Sequence, residues 1–136
     1  MLTQKGKYAI KALICLAEKK SQVRTQDIAN DAQIPKKFLE SILLELKRHG
    51  LVASQQGASG GYSLAKSPHD INLADLHRIF EGPIALIACA ADRFYKPCQD
   101  CISVENCKLR IAMKQVRDTT FHALESITIQ KIIDGK

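Results

Sequence analysis

The chain has 136 residues and a net charge of +6, with no tryptophan and five cysteines. That is room for one domain and an appendage, and too little for two independent enzymatic domains. Lys5, Lys7 and Lys11 interrupt the first apolar segment and no run approaches the length of a membrane span, so a secretory leader and a membrane anchor are not expected and the protein reads as cytoplasmic.

The charge is unevenly spread. Residues 1–66 hold eleven Lys or Arg against five Asp or Glu, and residues 67–136 hold nine against nine, so the whole excess of six lies in the first half. A one-sided basic balance is the footprint of a polyanion partner, and alone it is also what a solvated basic face looks like.

From Thr3 onward Tyr8, Ala9, Ala12, Leu13, Leu16 and Ala17 recur at helical spacing with lysines between, which predicts a first amphipathic helix. Cys15 falls beside Ile14 and Leu16 and reads as a small core residue. Thr25 is expected to cap a second, short helix, with Asp27 in its first turn and Ile28, Ala29 and Ala32 on its buried side. After a turn over 31–34, Pro35 opens a third helix that runs to about His49 and stops at Gly50. Its stripe is Leu39, Ile42, Leu43 and Leu46, while Lys36, Lys37, Glu40 and Ser41 lie off the stripe at the leading end. Two short helices about a tight turn, the second with a polar leading face, form a helix-turn-helix pattern.

Residues 51–66 then give two strand-like runs around a glycine-rich turn containing Gln56, Gly57, Ser59, Gly60 and Gly61, followed by Tyr62. A hairpin placed directly after a helix-turn-helix reads as a wing that lies along a phosphate backbone or enters a minor groove. The stretch lacks the glycine pattern and the Gly-Lys-Ser/Thr ending of a nucleotide-binding loop. Helix pair, wing and basic bias together point to double-stranded DNA, with Lys36, Lys37, Glu40, Ser41, Gln56, Ser59, Gly60 and Tyr62 as the candidate contacts. A fourth helix carries Leu73, Leu76, Ile79 and Phe80 and ends at Glu81-Gly82-Pro83, closing a winged domain over 1–83.

Residues 84–108 concentrate the reactive chemistry: Cys89, Cys98, Cys101 and Cys107 fall within nineteen residues, among Arg93, Lys96, Pro97, Gln99, Asp100, Glu105 and Asn106. Such neighbours do not suit buried core cysteines, and in a reducing compartment clustered thiols are metal ligands or redox sensors more often than staples. Four thiolates ligate an iron–sulfur cluster or zinc, and pairs of them oxidise to disulfides. From about Ser103, taken as a cap with Glu105 in the first turn, a long helix carries Leu109, Met113, Val116, Thr120, Ala123 and Ile127 at spacings of three and four. Its stripe needs a partner. Part of it is expected to fold back on the first helix, and Leu109, Met113 and Val116 over 109–136 suit dimerisation, which would pair two recognition helices on a palindromic operator. Thr128 starts a short last helix through Ile129, Ile132 and Ile133. His49, His69, His77 and His122 show no mutual spacing for a zinc enzyme, and no Ser-His-Asp order or paired-carboxylate motif is present.

These residues resemble a family, the IscR-type regulators of the Rrf family of winged helix-turn-helix transcription factors. The likeness spans nearly the whole chain and rests on Leu2-Thr-Gln-Lys-Gly-Lys-Tyr-Ala9, Ile34-Pro-Lys-Lys-Phe-Leu-Glu40, His49-Gly-Leu-Val52, Gly57-Ala-Ser-Gly-Gly-Tyr62, the cysteine loop and Cys107-Lys-Leu-Arg110. The resemblance implies a dimeric, sequence-specific regulator whose DNA affinity responds to an iron–sulfur cluster in some members and to thiol oxidation in others. Here Gln56 stands where the family often has Arg, and Cys101 and Cys107 keep the family's interval while Cys89 lies farther upstream and Cys98 is extra. Lys7 and Arg110 occupy the places from which some members draw a fourth ligand. The expected cofactor is a cluster, 2Fe-2S in type, held by some or all of Cys89, Cys98, Cys101 and Cys107. A disulfide switch and a structural zinc on the same scaffold, and an iron–sulfur or zinc enzyme, are the competing readings.

Overall fold

The computed structural model describes residues 2–135. Six α-helices and one hairpin follow in the order α1 (Gln4–Lys19), α2 (Thr25–Ala32), α3 (Lys36–Arg48), β1 (Val52–Gln55), β2 (Gly61–Leu64), α4 (Leu73–Phe80), a 3₁₀ turn (Ala88–Ala90), α5 (Lys108–Ser126) and α6 (Ile129–Asp134). This is the mainly helical winged helix-turn-helix expected, followed by C-terminal helices.

α1 begins where Thr3 Oγ1 accepts from the Gly6 N–H at 3.2 Å. Glu81, just past α4, accepts from the Thr3 N–H at 3.0 Å and from its hydroxyl at 2.7 Å, so the end of one helix fixes the start of another. The α2 cap differs from expectation: Thr25 is the first helical residue, and Arg24 holds the extended cap position without a side-chain bond to the helix. Pro35 likewise sits at the cap position of α3 rather than inside it. Its ring fixes φ near the helical value in either place, which is why the signal marked the start correctly to within one residue.

Leu13 and Leu16 of α1, Ile28 of α2, Leu39, Ile42, Leu43 and Leu46 of α3, and Ile71 before α4 are all essentially inaccessible. Fully burying each such side chain contributes about 1.5–3 kcal/mol. Ile129 of α6 is equally inaccessible in the same core, so the far C-terminal end packs with the winged helices. It is fastened by the Ile129 N–H to the Ile71 carbonyl and by the Leu73 N–H to the Ile127 carbonyl, both at 2.9 Å. Thr128 caps α6 as expected, accepting from the Lys131 N–H at 3.1 Å.

Two expectations about the long helix are corrected. It starts at Lys108, because Ser103 caps only one local turn, accepting from the Asn106 N–H at 3.4 Å, and Cys107 remains extended. The element packed on α1 is α6, while α5 packs on α4, where the Arg78 guanidinium lies 4.8 Å from the Phe121 ring centre.

The wing is antiparallel, with Val52 opposite Leu64 and Gln55 opposite Gly61. Val23 adds a third, one-residue rung: it exchanges N–H···O bonds of 2.9 and 2.8 Å with Tyr62. Gly61 makes this possible, since its φ is +145° and a Cβ there would stand 2.4 Å from the Val23 carbonyl oxygen.

Candidate thiol centre and nucleic-acid interface

The buried stripe of α3 leaves its opposite face to solvent, and Lys36, Lys37, Glu40 and Ser41 are all exposed on it. Neither lysine nor Glu40 has an ion-pair partner among the described residues. Phe38 and Leu44 share this exposed side, with 56% and 45% of their surface accessible. Sequence reasoning passed over them because it sorted α3 into an apolar stripe and a polar remainder. Phe38 lies outside the stripe, and its ring meets Tyr8 at 6.3 Å.

The hairpin stands beside α3, tied by Lys47 Nζ to Ser54 Oγ at 2.7 Å. Gln56 and Ser59 are exposed at its tip, while Gly60 and Tyr62 are half-buried. The Gly60 N–H closes the turn on the Gly57 carbonyl at 2.9 Å. Two residues before α2 hold the wing from the side: Gln22 bonds Gln55, and the Arg24 guanidinium donates to the Ala58 carbonyl at 2.6 Å. Neither residue carries a local signal for this contact, which spans more than thirty positions.

Cys89, Cys98, Cys101 and Cys107 line a single cavity of about 610 Å³, together with Lys96, Asp100, Arg110 and the apolar Ile87, Ile102 and Leu109. Each thiol arrives differently. Cys89 sits in the 3₁₀ turn, whose next residues Ala90 and Ala91 are buried, and Cys107 holds the cap position of α5. Cys98 and Cys101 lie on the loop between, joined by a 3.4 Å bond from the Cys101 N–H to the Cys98 carbonyl. All four are free thiols, half-buried except Cys98, which is exposed. The Cys98 thiol donates to Asp100 at 2.8 Å, which holds it protonated and pushes its pKa up while pulling that of Asp100 down. Cys15 is apart from the others, buried in the core, and burial raises its pKa.

No three metal-binding side chains among the described residues are gathered closely enough to hold an ion. The donor set nonetheless fits a thiolate-ligated group: four cysteines line one cavity, beside the cationic Lys96 and Arg110, which offset thiolate charge. Binding all four requires the loop to close and Cys98 to leave Asp100.

Two arginines of α5 were not anticipated as part of this site. Arg110 Nε donates to the Cys89 carbonyl and Arg117 to the Ala90 carbonyl, each at 2.8 Å. Along α5, Leu109 is 60%, Ile111 52% and Val116 39% exposed, and Met113 is half-buried. Among the described residues no helix is long and apolar enough to cross a membrane.

Comparison with known proteins gives a consistent outcome. Residues 2–135 match the family model Rrf2, described as iron-dependent transcriptional regulator. A protein named rrf2-like from Rhodobacter capsulatus is 39% identical over 138 residues, covering 98% of this chain and 92% of that one. Among solved structures, CymR, the global cysteine regulator of B. subtilis, superposes with a TM-score of 0.77 at 28% identity over 100% of this chain and 98% of its own. IscR of T. potens does so with a TM-score of 0.74 at 26% identity, covering 99% and 87%.

Proposed function

The chain belongs to the Rrf2 family of iron-dependent transcriptional regulators, and we propose that within it this protein is a homodimeric, cytoplasmic regulator whose operator affinity responds to an iron–sulfur cluster. The observation that carries the reading is that all four loop cysteines line one cavity at the head of α5, on a chain that also builds a winged helix-turn-helix.

Cys89, Cys98, Cys101 and Cys107 would hold the cluster, 2Fe-2S in type, which supplies one-electron chemistry and lability to oxidants when bound. The rest is done by the chain. Lys36 and Lys37, unpaired on the leading end of α3, bind guanine or phosphate in the major groove, and Glu40 accepts from cytosine. Ser41 stands one residue beyond Glu40 on the same exposed face, while the wing at Gln56, Ser59, Gly60 and Tyr62 follows the backbone. Leu109, Met113 and Val116 join two copies so that the recognition helices address a palindromic site. Ligation then acts by difference: it orders the loop and favours one placement of α5, altering DNA affinity by about 1–3 kcal/mol.

Anaerobic purification tests this directly. A brown protein with visible absorption, stoichiometric iron and acid-labile sulfide is expected, and a colourless one with one zinc per chain would overturn it.

A second reading has its own observation: Cys98 is exposed and shares a turn with Cys101, which suits a disulfide switch. The two thiols would lose two protons and two electrons to hydrogen peroxide, giving a disulfide and two waters. Residue-resolved mass spectrometry after peroxide treatment separates this from the cluster reading.

A further inference from the structure

The four thiols are not equally attached. Arg110 and Arg117 are seven residues apart on α5, on one face of the helix, and they reach back to successive carbonyls, those of Cys89 and Ala90, at 2.8 Å each. Arg117 also meets Asp92 at 2.9 Å and Asp118 at 2.7 Å, and its side chain is only 12% accessible, whereas the two carboxylates are 64% and 56% accessible. A guanidinium so covered is held by what its donors reach, and its rigid fork cannot be matched by a point charge. The segment it grips is itself seated, with Ala90 wholly buried. The loop beyond is open to solvent: residues 92–100 are all exposed, against the buried Ala90 and Ala91.

We propose that Arg110 and Arg117 are positioning residues that fasten the Cys89 arm to α5. Cys89 and Cys107 thereby form a fixed pair, while Cys98 and Cys101 ride on the closing loop. The division also supplies a direction for signalling. A change at the loop thiols is felt against a wall that moves only with α5, so it registers on the helix that also carries Leu109 and Val116. Only this last step rests on the reading of the thiols as ligands; the fastening does not.

Hydrogen exchange on the full, metal-free chain tests the fastening. Arg117→Gln should accelerate exchange over residues 88–92 by about tenfold and Arg110→Gln by about threefold, with helix content unchanged. Arg93→Gln, an exposed loop arginine, should do nothing. Arg117→Lys keeps the charge and loses the fork, so it should resemble Gln; full rescue by Lys would overturn the directed-bond assignment. If Arg117→Gln fails to fold, Arg110→Gln decides alone, since it gives up one hydrogen bond.

A second readout follows the sulfurs with cobalt(II) as the probe. Thiolate-to-cobalt absorption tracks the number of bound sulfurs, and displacing Cys89 should lower it to about three quarters of the wild-type value. Wild-type exchange together with a wild-type cobalt band in both Gln variants would overturn the proposal. Accelerated exchange in the Gln variants, with a wild-type chain that binds no cobalt, would remove the ligand reading and leave the fastening intact.

Discussion

α3 and α5 carry the same kind of pattern, apolar residues three and four positions apart, and meet opposite fates. In α3 the stripe Leu39, Ile42, Leu43 and Leu46 is wholly inaccessible, packed against α1 and α2. In α5, longer by six residues, no side chain is fully buried, and Leu109, Ile111 and Val116 stand open. Periodicity records that a helix has a partner, without recording whether the partner is in the same chain. The first stripe is spent on folding. The second is free for a second copy, as proposed above.

The comparison is broken most forcefully by Leu43→Ala. Truncating a fully buried leucine costs about 2–5 kcal/mol, and chemical denaturation should show a loss of that order. Leu109→Ala, on the open face of α5, should leave the stability of the monomer within about 0.5 kcal/mol. Equal losses for the two would mean that α5 packs within its own chain.

Met113→Asp is the next test, because it places a charge in the middle of the proposed seam. Burying an unpaired carboxylate costs several kcal/mol, so sedimentation should report a monomer with wild-type helix content. An unchanged dimer would move the interface away from this face.

The same contrast explains what was legible in the sequence. α3 was readable to within one residue because its stripe, its leading proline and its closing glycine all agree, and each acts over a few positions. α5 was placed four residues early, since Ser103 and Glu105 imitate a helix start while serving only a local turn. That α6 rather than α5 returns to α1 depends on Ile129 meeting Ile71, and nothing local announces a contact of that range. Within the candidate site the four thiols were visible through their spacing. Arg110 was noticed only as a residue unable to ligate, and Arg117 not at all, because their partners Cys89 and Ala90 are brought to them by the fold. Arg24 was missed on the wing for the same reason.

Cys101→Ala sharpens the comparison between a helix that folds and a helix that reports. It should abolish visible absorption, leave dimer and helicity intact, and change operator affinity by about 1–3 kcal/mol while sparing salt-dependent nonspecific binding. Cys15→Ala, on the buried face of α1, should keep the absorption at some cost in stability. Retention of both the spectrum and the cofactor-dependent difference in Cys101→Ala would exclude this loop as the sensor.

The smallest effects belong to the exposed polar residues of α3, which the proposed reading assigns to DNA. Glu40 and Lys37 differ in what they can meet there. A carboxylate is repelled by phosphate and gains only from a base donor, so Glu40→Ala should relax the preference at one base pair by about 1–3 kcal/mol and leave overall affinity nearly unchanged. An ammonium that meets phosphate releases counterions, so Lys37→Ala should weaken binding to all sequences alike and reduce the slope of log K against log salt by about 0.9 for each such contact. Selection of binding sites by the Glu40 variant, alongside salt titration of the Lys37 variant, reads the two separately. An unchanged selected site for Glu40→Ala would remove it as a base reader, and an unchanged slope for Lys37→Ala would place that lysine off the backbone, leaving its neighbour Lys36 to carry the contact.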